Sequence, residues 1–131
     1  MYEFHGWFTL AESTEEADTG TLNSGVRDIK DRMARLNWAT GCAELLVLNG
    51  EYYVRLDGLM NRWRDEADAL NSLLDYIVVR FPGSWGLLYE RSDELTPPPG
   101  PGAFRVRVMA RGSVVTRLDP FLSPVNPAIE D

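Results

Sequence analysis

The sequence contains one cysteine and one histidine in 131 residues. Cys42 therefore cannot close a disulfide within the chain, and zinc sites built from clustered thiolates and imidazoles are excluded with it. No apolar run approaches the ~20 residues that a membrane-spanning helix needs. The opening MYEFHGWFTL has neither the cationic start nor the unbroken apolar stretch of a signal peptide, so a cytoplasmic protein is expected. Cations are scarce as well: 13 Lys and Arg stand against 20 Asp and Glu, a net charge of -7. That balance opposes the phosphate attraction behind nucleic-acid binding and leaves no basic handle for anionic lipid. A basic protein partner suits it better than nucleic acid or a membrane. GSWG (83–86) lacks both the GxGxxG spacing and a following Gly-Lys-Ser/Thr, so no phosphate-bearing cofactor is indicated.

What is present is the composition of a globular domain, 44% apolar with four Trp, five Tyr and five Phe. A chain of this length buries enough surface to fold as one domain over 1–131 with no metal or disulfide. Residues 2–10 mix aromatic and β-branched types and read as a strand, buried in part on both faces, with His5, Trp7 and Thr9 on the parity opposite Phe4 and Phe8. ESTEEADTGT is a polar loop. Val26, Ile29, Met33 and Leu36 recur at helical spacing, predicting an amphipathic helix over 23–37 with Asn23 or Ser24 as its cap. Asn49-Gly50 between two β-rich runs predicts a hairpin with strands at 43–48 and 51–57. Trp63, Ala67, Leu70, Leu74, Ile77 and Phe81 predict a second helix that stops before Pro82-Gly83.

Trp85, Leu87 and Tyr89 then alternate as in a strand, TPPPGPG (96–102) is a loop, and a final hairpin turns at Gly112-Ser113. Residues 120–131 form an irregular tail. The order β-α-β-β-α-β-β-β predicts an α+β fold, an antiparallel-rich sheet with two helices packed on one face.

Few residues suggest chemistry. His5 in its strand reads as a structural, hydrogen-bonded histidine, and Cys42 as a small buried side chain. Arg105, Arg107 and Arg111 face away from an apolar strand face and read as a solvated surface paired with carboxylates. The tryptophans favour the core over an interface. Glu90, Asp93 and Glu94 could be imagined as a carboxylate catalytic pair, but a solvated acidic edge facing a partner is the better reading, and no enzyme is expected.

FHGW (4–7) and GSWGLLYERSDE (83–94) together resemble the Imm7-type immunity proteins of bacterial polymorphic toxin systems. Those proteins pair an early HGW-like strand with a later GS-aromatic-G-LLY-x-R-x-D-E segment. The similarity in motif order covers residues 2 to about 95; Ser92 departs from it, since an acid often stands there. The resemblance implies a cytoplasmic, non-catalytic antidote that needs no cofactor and binds and neutralises a cognate toxin domain, one that is basic if charge complements charge. The partner-binding residues expected on this basis are Trp7, Trp85, Glu90, Arg91, Asp93 and Glu94, with 90–94 leaving the core together. The rival reading is a small acidic secretion chaperone, a class that usually dimerises.

Overall fold

The computed structural model describes residues 1–12, 22–36, 38, 40–61 and 64–121. Strand β1 (Tyr2–Thr9) is followed by helix α1 (Leu22–Ala34), β2 (Gly41–Leu48), β3 (Glu51–Met60), α2 (Arg64–Arg80), β4 (Trp85–Ser92), β5 (Arg105–Ala110) and β6 (Ser113–Leu118). This is the α+β order read from the sequence. The strands form one antiparallel sheet of six in the order β2-β3-β1-β4-β5-β6. Residues 13–21 of the expected loop, Trp63 of the expected second helix and residues 122–131 of the expected tail lie outside the described residues. Asn23 and Ser24 fall inside α1, which begins at Leu22, and not ahead of its first residue.

The first strand is central to the sheet. Both β1-α1-β2 and β3-α2-β4 are crossovers that leave one strand's width between their ends: β3 fills the first gap and β1 the second. Strand parity then fixes the two faces. Tyr2, Phe4 and Phe8 of β1, Val54, Leu56 and Met60 of β3, Leu88 of β4 and Met109 of β5 share one face by register. They form a single buried cluster with Val26, Ile29 and Met33 of α1 and Ala67, Leu70, Leu73, Leu74 and Ile77 of α2. Both helices thus cover the same side, because each carries one apolar stripe and the sheet supplies one continuous apolar face. α2 ends where Phe81, fully buried, bonds back to the Ile77 carbonyl and Pro82 stops the ladder.

Both hairpins are two-residue turns with positive φ. Asn49 (51°) and Gly50 (80°) turn β2 into β3 as expected, and Arg111 (53°) and Gly112 (75°) turn β5 into β6. The second turn lies one residue earlier than the sequence reading placed it, since Ser113 already pairs with Ala110. Gly86 permits the close approach of β4 to β1: a Cβ there would run into the backbone of Trp7 and Phe8.

β5 reverses a sequence expectation. Arg105 and Arg107 share the helix side with Met109, whereas Val106 and Val108 point to the opposite face. The reason is a neighbouring carboxylate: Glu90, on the same side of β4, is 1% exposed and pairs with both guanidinium groups. An arginine stripe can lie inward where its counter-charge is built into the adjacent strand. Cys42 corrects a second expectation, being partly exposed on the edge strand β2 instead of buried. Among the described residues no helix is long and apolar enough to cross a membrane.

Candidate functional site

FHGW and GSWGLLYERSDE are adjacent in space. β1 and β4 pair antiparallel with Glu3 opposite Arg91, His5 opposite Tyr89, Trp7 opposite Leu87 and Thr9 opposite Trp85. In each motif every second side chain points away from the helices, so Glu3, His5, Trp7, Trp85, Leu87, Tyr89 and Arg91 share the face that neither helix covers. The intervening residues Phe4, Gly6, Leu88 and Glu90 face the core.

On this face, where β1 ends and β4 begins, Trp7 and Trp85, 44% and 49% exposed, meet edge to face with ring centroids 5.5 Å apart. They are diagonal neighbours on paired strands, a spacing that suits two large rings. The sequence reading favoured the core for the tryptophans. Here the helices occupy the other side, so these two remain accessible, while Trp38 packs against Phe4 at 5.2 Å. Further along, Tyr89 meets Phe104 at 6.1 Å, and the Arg91 guanidinium lies 5.5 Å from the Phe104 ring.

Beside the tryptophans runs a row of alternating charges. Arg91 Nε donates to Glu3 Oε1 at 2.7 Å, and the other Glu3 oxygen lies 2.7 Å from His5 Nε2. His5 Nδ1 lies 2.9 Å from Asp57 Oδ1, and Arg55 Nε donates to Asp57 Oδ2 at 3.0 Å. A carboxylate only accepts, so both contacts of His5 are satisfied together when the ring is an imidazolium donating from each nitrogen. Partial burial alone would lower the pKa of His5; its bonds to Glu3 and Asp57 outweigh this and raise it above the ordinary value. Partial burial likewise pushes the Glu3 and Asp57 carboxyls up, and bonds from His5 and the arginines outweigh it and hold both below the usual range. The structural, hydrogen-bonded histidine read from the sequence is present, with partners that no local motif announced. Parity alone pointed to it, by setting His5 and Trp7 on one face.

The charged end of β4 divides. Asp93 is 65% exposed and pairs with the N-terminal ammonium at 3.0 Å, which holds its carboxyl low; Glu94 is exposed. Arg91 is partly covered, and Ser92 is buried, its hydroxyl donating to the Met1 carbonyl at 2.7 Å and accepting from the Glu94 amide at 3.1 Å.

The expectation that 90–94 leave the core together is therefore corrected, because strand alternation sends Glu90 and Ser92 inward. Glu90 accepts from the Tyr2 hydroxyl and from Arg105 Nε, each at 2.6 Å, and from Arg107, which also reaches Asn71 of α2. Burial and the adjacent Glu90 charge push the Tyr2 hydroxyl well above its ordinary pKa. This cluster ties β1, β4, β5 and α2 together around the buried Glu90 carboxylate.

Two cavities on the helix side, of about 190 Å³ beside Arg32, Arg35 and Ser72 and about 270 Å³ beside Met33, Ala43 and Leu45, fall short of the roughly 300–1,000 Å³ of small-ligand sites. Among the described residues no three His, Cys, Asp or Glu side chains are grouped to hold a metal. The Cys42 thiol donates to Glu44, which raises its pKa and lowers its reactivity.

Fold and site together define an α+β protein whose sheet is covered on one side and presents an aromatic, charge-lined surface on the other. The chain belongs to the Imm7 family, immunity protein 7, whose model matches residues 1–131, the whole of it. No curated protein and no solved structure matches the chain significantly.

Proposed function

We propose that this immunity protein neutralises a cognate bacterial toxin domain by binding it in the cytoplasm, without catalysis, and that the sheet face opposite the helices is the surface it uses. The observation behind this reading is the half-exposed Trp7–Trp85 pair on a face that neither α1 nor α2 covers. Large aromatics are the usual anchors of protein interfaces, and an apolar patch ringed by charge is the usual anatomy. Six strands at ~4.8 Å spacing make a face about 25 Å across, which approaches the span of a standard interface of ~800 Å² per partner. Arg91, Asp93 and Glu94 serve as rim contacts, and the net charge of -7 would steer a basic toxin toward the complex. Glu90 has a different part, holding the strands that carry the surface.

The test is co-expression with the toxin domain encoded in the adjacent reading frame. The wild-type chain should protect the cell and co-purify with the toxin. The Trp7→Ala/Trp85→Ala double variant should lose protection while keeping its circular dichroism. Absence of both protection and complex with the wild-type chain would overturn the proposal.

A further inference from the structure

The row Arg91–Glu3–His5–Asp57–Arg55 crosses β4, β1 and β3 on the same face as the tryptophans, and its signs alternate only when its central ring carries a proton on each nitrogen. His5 is two residues from Trp7 on β1, so a partner seated on the aromatic pair must also cover this row. Among the described residues, the pairing register sets further titratable groups beside this row. Tyr89 of β4 stands opposite His5 in the register, Cys42 of β2 stands opposite Asp57, and Glu44 of β2 stands opposite Arg55. Both carboxylates in contact with the ring have their remaining oxygen engaged by an arginine, so neither can turn away without leaving a guanidinium unpaired.

We propose that docking of the toxin on this face is linked to the protonation of His5, so that the complex is held while the ring carries both protons and loosens as it loses one. The inference rests on the neutralisation reading above and adds its regulation. With a neutral imidazole, one ring nitrogen presents a lone pair to a carboxylate, and that carboxylate keeps a single cationic partner. In free protein, water solvates the orphaned oxygen at little cost. Beneath a partner it cannot, and a covered charge lacking its partner is far more costly than an exposed one. The complex therefore favours the imidazolium more strongly than the free chain does, and binding above the midpoint of the free ring draws a proton from solvent.

The chain's single histidine makes the test direct. NMR titration of the ring in the free chain should place its midpoint above the ordinary ~6.5. The affinity for a catalytically inactivated form of the neighbouring toxin domain is then measured from pH 5.5 to 9. The wild-type dissociation constant should be flat at low pH and rise up to about tenfold per pH unit above the His5 midpoint, the limit for one linked proton. His5→Gln should bind more weakly at low pH and lose that rise. Asp57→Asn, which keeps the ring but removes one acceptor charge, should shift the onset of the rise to lower pH. A wild-type constant that does not change with pH, or the same rise in His5→Gln, would overturn the linkage while leaving neutralisation intact. Failure of the wild-type chain to bind at any pH would overturn both.

Discussion

Replacing Glu90 with alanine should destabilise this protein more than any other single change among the motif carboxylates. The side chain is 1% exposed and is the shared acceptor for Tyr2, Arg105 and Arg107. Its loss leaves two largely covered guanidinium groups, 24% and 13% exposed, and a buried hydroxyl without their common partner. Breaking a buried charge pair from one side costs about 3–5 kcal/mol. For a domain of this size that corresponds to a fall of roughly 10–20 °C in Tm. Glu90→Gln keeps the volume and one accepting oxygen but not the charge, so it should fall between alanine and wild type. Replacing Glu90, Arg105 and Arg107 together by leucine or methionine should recover most of the loss, because no charge is then left buried alone. The assay is urea and thermal unfolding at pH 7, with Asp93→Ala as control. Asp93 pairs only at the surface, and its variant should keep the wild-type midpoint. Equal, small shifts for Glu90→Ala and Asp93→Ala would refute the reasoning.

Three further outcomes are expected. Gly86→Ala places a Cβ against the backbone of Trp7 and Phe8, which cannot swing aside as a side chain could, so it should cost about 3 kcal/mol or prevent soluble expression; a wild-type Tm would contradict the packing. Trp7→Ala and Trp85→Ala should each weaken toxin binding by about 2 kcal/mol, near thirtyfold, in calorimetric titration while the fold persists; unchanged affinity for both would move the interface elsewhere. The stability difference between wild type and His5→Gln should be largest between about pH 5 and 6.5. Glu3 and Asp57, held low, contribute above their unfolded values, whereas His5, held high, contributes fully below ~6.5 and loses its contribution as pH rises through its folded value. Denaturant midpoints across pH 4 to 9 would show this, and a difference that grows toward pH 9 would contradict it.

Much of the fold was legible because its signals are local. Asn49-Gly50 announces its own turn, and Val26, Ile29 and Met33 mark a helix face without reference to any other segment. The candidate site was legible only in part. GSWGLLYERSDE looks like an apolar strand running into a charged end, and composition suggests that the charges leave the core as a group. Alternation decides otherwise, burying Glu90 and Ser92 while exposing Asp93.

Several features required the neighbours. Arg105 and Arg107 resemble a solvated stripe until Glu90 is placed opposite them, 15 and 17 residues earlier in the chain. Trp7 and Trp85 resemble core residues until both helices are seen to cover the other face. Glu3 and Asp57 carry no motif at all; Glu3 meets His5 by alternation along β1, and Asp57 meets it because β3 pairs with β1.

The sequence by itself determined the elements, their order, the Asn49-Gly50 turn and membership of the immunity protein 7 family, since each depends on residue types at short spacing or on motif order. Only the tertiary structure decided which face of each strand met the helices, and with it which charges were buried and which aromatics were left open. Strand alternation offers two faces of equal geometry, and the choice between them is made by what packs on the sheet.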